Sequence, residues 1–355
     1  MIKKICIVVG ARPNFMKVAP LTRAIARTAR AESQLVYAGR SDDPTLEASL
    51  FDDLQVAPPD AYLGADSQRL NELTAQVMGA FDRYLDSHET DVVVVVDDLA
   101  STMAAAITAK KRGIKLAHLV AGTRSFDINM PKEVNRLVID ALSDYLFTAG
   151  MKSSSIAARE QQTDSSNTYM VGNILMDSLR FNQPRLRQPA IGVDDGQYLV
   201  LTLNRHALLG NEPKLHRLLA TLVETADGLP VVAPLRDAAR QAVERLPESA
   251  SLMMVPPLTY LEFGWLTAHA RGIVTDSGNV AEEATWNGVP CITLNSYTEH
   301  FETVSLGTNV LVGEAPDQLR QALLRLKAGN WKASALPDRW DGRTAERIVS
   351  VLVNG

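Results

Sequence analysis

Short apolar runs alternate with amphipathic, helix-length stretches along this chain, the signature of a parallel α/β architecture. Ile5–Val9, Leu35–Ala38, Val92–Val96, Leu116–Val120 and Tyr145–Thr148 read as successive strands. Helical periodicity fits Val18–Ala29, Arg69–Ser87, Ser101–Arg112 and Lys132–Leu142. Near Val171-Gly-Asn-Ile174 the pattern passes into a helix, Leu175–Phe181, and Asn182–Gln197 has the composition of a linker. A second series follows: Tyr198–Thr202, Pro230–Ala233, Leu252–Val255, Gly272–Thr275 and Pro290–Leu294, closed by a helix over Gly342–Val353. The pattern predicts two domains, residues 1–174 and 175–341, with the helix of about 342–355 packing back on the first. Two Rossmann-like parallel sheets in one chain make the GT-B class, with an interdomain cleft facing the carboxyl ends of the strands.

Composition narrows the class. With 355 residues the chain exceeds one ordinary core, and 46% hydrophobic with 22% charged residues is a globular balance. Its longest apolar runs fall far short of the ~20 residues of a membrane span. The N-terminus runs straight into a strand without the features of a signal peptide, so a cytoplasmic protein is expected. Cys6 and Cys291 sit in separate strand-like segments and read as small buried hydrophobes of a reducing compartment. A net charge of −5 offers no basic field for nucleic acid. The six histidines and two cysteines lack ligand spacing, so no metal and no cofactor is expected.

Two strand-to-helix turns carry candidate chemistry. Thr275-Asp-Ser-Gly-Asn-Val-Ala-Glu-Glu283 ends a strand and opens a helix, so its free N–H groups face an anion across small residues. Ser277 adds a hydroxyl, Asn279 tolerates a left-handed backbone, and Glu282 stands one turn in, within reach of a ribose. Helix capping alone would also favour a serine and glutamates there. Gly10-Ala-Arg-Pro-Asn-Phe-Met-Lys17 reads as the other loop, with Arg12 and Lys17 as its cations for phosphate.

Taken together, these segments resemble the non-hydrolysing UDP-N-acetylglucosamine 2-epimerases along nearly the whole chain. Gly10–Lys17 is similar to G-T-R-P-(E/N)-x-x-K, and Val96-Asp-Asp-Leu-Ala-Ser-Thr102 to H-G-D-T-x-(S/T)-T. Ala121–Asp127 through Pro131–Arg136 resembles A-G-L-R-S-F-D through P-E-E-x-N-R. Asp276–Glu283 is similar to D-S-G-G-x-x-E-E, and Thr298–Glu302 to T-E-R-P-E. The resemblance implies a UDP-sugar ligand, with Arg12, Ser277 and Gly278 on the diphosphate and Glu282 on the ribose. Asn279, Asn204 and His300 join the substrate-binding set, and Asp98, Lys17, His118 and Arg124 the catalytic one. It also implies a homodimer and a place in cell-surface polysaccharide biosynthesis.

The chemical centre departs from the family pattern. The glutamate of H-x-E-A-G is Val120, the first glutamate of P-E-E is Lys132, the histidine of T-G-H-R is Asn204 and the arginine of T-E-R-P-E is His300. Only Asp98 keeps a matching carboxylate. Valine transfers no proton, so relocated acid/base groups are expected, with His118, His206 and His300 as imidazole candidates. Lys132 reads as a partner for a carboxylate on an altered sugar such as a uronic acid. Two other functions stay open on the same frame: a nucleotide-sugar glycosyltransferase and a UDP-sugar-binding protein without turnover.

Overall fold

The computed structural model of the protein describes residues 2–160 and 167–354. The chain divides into two compact units, one running to Phe181 and resuming at Asp338, the other Asn182–Pro337. In the first, seven strands are described: β1 Lys3–Val9, β2 Ala31–Tyr37, β3 Ala61–Tyr62, β4 Val92–Val96, β5 Lys115–Leu119, β6 Tyr145–Thr148 and β7 Asn167–Met170. They pair in parallel in the order β3-β2-β1-β4-β5-β6-β7. Register is fixed by apolar pairs such as Val8 with Val36 on one side and Val95 on the other. All five valines of β4 are buried, as a central strand covered on both faces requires.

The second unit repeats the plan with β8 Leu199–Thr202, β9 Val231–Ala233, β10 Met253–Met254, β11 Gly272–Thr275, β12 Cys291–Thr293 and β13 Asn309–Leu311. Its order is β10-β9-β8-β11-β12-β13, again parallel. Numbered within each unit, both sheets run 3-2-1-4-5-6, the doubly wound order, and the first adds a seventh strand at its edge. In each the winding reverses between the first and fourth strands, and the crevice beyond their carboxyl ends is where such sheets take ligands. That rule singles out β1/β4 in one unit and β8/β11 in the other.

Three elements differ from the sequence expectations. The segment Gly10–Lys17 is not a loop: a helix runs Arg12–Ala26, with Pro13 in its first turn, where a missing N–H costs nothing. The stretch 182–197 is no bare tether, since Val193 is buried in the core of the second unit with Ile191 packed beside it. The short strands β3, β7 and β13 and several helices, Glu212–Ala226 and Pro316–Lys327 among them, were not anticipated. The closing helix, Thr344–Asn354, lies on the first unit: Asp177 accepts hydrogen bonds from the Thr344 and Ala345 amides. Both cysteines are buried and free. No described helix is long and apolar enough to cross a membrane.

Candidate functional site

At the β1/β4 switch point the backbone of β1 comes close to the helix Ala100–Lys111. A Cβ on Gly10 would lie 2.0 Å from Ser101 Oγ, so glycine is required there. Asn14 Oδ1 accepts the amides of Gly10 and Ala11 and closes the start of the Arg12–Ala26 helix. Lys17 lies within that helix and is buried, its Nζ 2.5 Å from Asp97 Oδ1, while Asn14 donates to Asp97 Oδ2. Lys17 is therefore corrected from a loop cation to the buried counter-ion of Asp97. Arg12 opens the same helix, half-buried.

Asp98 follows at the end of β4. Arg136 grips its Oδ2 through Nε (2.8 Å) and Nη2 (2.5 Å), and Lys132 stands 3.5 Å from its Oδ1. Burial alone would raise the Asp98 carboxyl, but Lys132, Arg136 and Lys17 outweigh it and hold it below the ordinary carboxylate range. Asp98 is thus an ionised acceptor at neutral pH. Glu133, one turn before Arg136, accepts from the Ser125 amide and hydroxyl and from the Phe126 amide, which fixes the 125–126 loop.

Beneath this layer lies a buried brace. His118 Nδ1 is 2.5 Å from Asp140 Oδ1 and its Nε2 is 2.9 Å from the Asp97 carbonyl oxygen. Asp140 Oδ2 faces Arg124 Nη1 at 2.7 Å and accepts the Gly122 amide at 3.0 Å. Arg124 also donates to Glu160 and to the Thr123 carbonyl. Burial pushes Asp140 up, yet His118, Arg124 and the Gly122 amide more than offset it and leave it below the usual range. His118 and Arg124 are only 1% and 2% exposed, and the polar atoms of both are engaged within this brace.

Backbone strain gathers at the same strand ends. Asp97 (φ 59°), Val120 (φ 72°) and Phe126 (φ 61°) are left-handed. Asp97 stands where the family motif has glycine. Val120, which replaces the glutamate of H-x-E-A-G, is β-branched and a poor fit to this region, with strain on the order of 1–3 kcal/mol.

In the second unit Asp276, at the end of β11, accepts the amides of Asn204 and Arg205 and so ties the end of β8 to that of β11. Thr202 and Thr275 join their hydroxyls at 2.6 Å beside it. The Asn204 side chain stays exposed. Ser277 is the N-cap of the helix Gly278–Asn287 but makes no side-chain cap bond, so helix capping does not account for its hydroxyl. Asn279 is an ordinary right-handed helical residue; its tolerance of the left-handed region is not used. The His300 ring packs on Gly278, where a Cβ would come within 2.5 Å, and its Nδ1 is 2.7 Å from Glu282 Oε1. His206 lies exposed at the start of a short helix, apart from these contacts.

Glu283, next to Glu282, is buried, and burial followed by the Glu282 charge raises its carboxyl to about 8. An acid whose folded value exceeds its ordinary value of 4.5 keeps its proton in the fold after the unfolded chain has released it. Stability from this group is therefore full below pH 4.5 and falls as pH rises through about 8. Glu283→Gln is expected to remove that slope and to gain on the order of a few kcal/mol above pH 8. Urea midpoints at pH 5 and pH 9 check this, and parallel shifts at both would contradict it.

Sequence reasoning missed Asn14, Asp97, Glu133, Arg136, Asp140 and Asp276 as site residues. A signal existed for three of them: positions 133, 136 and 140 share one helical face, and all three are buried.

Comparison with known proteins agrees with this geometry. A family model described as UDP-N-acetylglucosamine 2-epimerase matches residues 23–353. A UDP-N-acetylglucosamine 2-epimerase of Methanocaldococcus jannaschii is 30% identical over 370 residues, covering 99% of both chains. A UDP-2,3-diacetamido-2,3-dideoxy-D-glucuronate 2-epimerase of Pseudomonas aeruginosa is 31% identical over 319 residues, 89% of this chain and 90% of that one. The crystal structure of the M. jannaschii enzyme in complex with UDP-GlcNAc and UDP superposes with a TM-score of 0.87 at 29% identity, over 99% of this chain and 100% of that one. Two parallel-sheet units, two equivalent switch points and a match along nearly the whole chain lead to one conclusion: the protein belongs to the UDP-N-acetylglucosamine 2-epimerase family.

Proposed function

We propose that the protein is a UDP-sugar 2-epimerase acting through elimination and re-addition of UDP. A base takes the C2 proton, the C1–O bond to UDP breaks, and a C1=C2 double bond forms. Return of UDP to C1 and of a proton to the opposite face of C2 inverts that centre. The observation that carries this reading is the β11 turn. There a helix N-terminus, a serine hydroxyl not used as a cap, and a glycine on which the His300 ring packs come together at a strand end. In the second unit Ser277 and Gly278 are assigned to phosphate and Glu282 to the ribose; in the first unit Arg12 is the candidate cation for phosphate. Asn204, Asn279 and His300 line the same strand ends. Asp98 is the candidate acid/base group, an ionised carboxylate just beyond the end of β4 with the exposed Lys132 beside it. The solved M. jannaschii relative binds UDP-GlcNAc and UDP, which supports the ligand class. A homodimer and a cytoplasmic location belong to the same proposal.

A second reading, UDP-sugar binding without turnover, is favoured by Val120 and Lys132 at positions that read glutamate in the family motifs. Hydrogen exchange at C2 of a bound UDP-sugar in D₂O separates the two. Exchange supports the epimerase, and binding without exchange supports the second reading.

A further inference from the structure

Resting on the UDP-sugar reading, we infer that Lys132 selects the sugar and that the sugar is a carboxylate-bearing one, a UDP-linked uronate. Lys132 lies in the first turn of the helix Pro131–Leu142 with its side chain 59% exposed. Its ion-pair partner is Asp98 Oδ1 at 3.5 Å, a long contact. Arg136 makes a two-point grip on the other carboxylate oxygen, so Lys132 lends Asp98 its charge without a short hydrogen bond. A lysine is also the wrong charge for the first turn of a helix, where acids are favoured. The helix position itself therefore gives no reason for this ammonium.

The charges around it give one. In the layer nearest Asp98 the carboxylates are Asp97, Asp98 and Glu133, and the cations are Lys17, Arg136 and Lys132. The inner group of Asp140, Arg124, Glu160 and His118 is paired within itself. Three against three, the layer is neutral only because Lys132 is present. A glutamate there would make it more negative by two charges and would repel an incoming carboxylate. Of the three cations, Lys17 and Arg136 are buried in their pairs, whereas Lys132 is the exposed one. A neutral sugar gains little from a solvated ammonium, while a carboxylate gains a charge-assisted hydrogen bond.

The test uses the whole protein and three probes: UDP, UDP-N-acetylglucosamine, and its counterpart with a carboxylate at C6. Calorimetric titration is expected to show the carboxylate sugar bound about 10- to 100-fold more tightly than the neutral one. That ratio should shrink as salt rises, since the ammonium is exposed. Lys132→Gln is expected to bring the ratio to about one, and Lys132→Glu to turn it in favour of the neutral sugar, each judged against the same protein's affinity for UDP. A wild-type ratio near one, or a ratio that survives Lys132→Gln, overturns the inference while leaving the UDP-sugar reading intact. Failure to bind UDP at all overturns both.

Discussion

Asp140→Ala is expected to cost about 3–5 kcal/mol of stability, the usual consequence of breaking a buried charge pair from one side. Asp140 joins three pieces of chain: His118 on β5, the Gly122 turn and Arg124 beyond it. Alanine would leave an imidazole nitrogen and one arm of a guanidinium buried without their partner. Against a typical total of about 5–15 kcal/mol, the loss is large. It should appear as a lower urea midpoint at an unchanged slope. The pH dependence has a definite sign, because the folded carboxyl lies below its ordinary value of 3.8. Its contribution is present above that value and is lost as pH falls through the depressed folded one. The wild type should therefore lose stability below about pH 4 more steeply than Asp140→Ala. An unchanged midpoint would mean that the brace carries no load.

Asp98→Asn is expected to slow hydrogen exchange at C2 of a UDP-sugar by about 10²- to 10⁴-fold, the span assigned to one positioned acid/base group. The change is isosteric, and the bond from Asn135 to the Asp98 backbone carbonyl is untouched. What disappears is the charge between Arg136 and Lys132. Because those cations and Lys17 hold the carboxyl down, exchange in the wild type should not fall off between pH 5 and 8 through titration of Asp98. UDP affinity, measured alongside, separates lost chemistry from lost structure. Exchange that persists at the wild-type rate would remove Asp98 from the chemistry.

The architecture was legible where strands were apolar runs bounded by helices. Val92–Val96, Tyr145–Thr148 and Gly272–Thr275 stand as read, since a buried parallel strand leaves a continuous apolar signature. Edge strands of two to four residues, β3, β7 and β13, leave too little pattern to see. The first helix was placed too late because its opening turn is polar and contains a proline. Two of its three buried members there, Asn14 and Lys17, serve Asp97, and Phe15 alone joins the apolar core.

The candidate site divides along the same line. Motif order led to Asp98, Ser277, Gly278 and Glu282 because each stands at a strand-to-helix turn. His118 read as an imidazole candidate, since a sequence does not show that a later helix carries Asp140 against it. Charged residues in a helix read by default as a solvated face. Only the shared spacing of 133, 136 and 140 hinted that this helix turns charge inward. Lys132 stands just outside that face, at the first turn, and remains exposed.

The most direct test of the account is proton NMR of the protein with UDP-N-acetylglucosamine and its C6-carboxylate counterpart in D₂O. Deuterium entering C2, faster for the carboxylate sugar, together with appearance of the C2-inverted product, is the expected result. Both sugars bound, with the C2 proton retained in each, would contradict the epimerase assignment and leave a nucleotide-sugar-binding protein in its place.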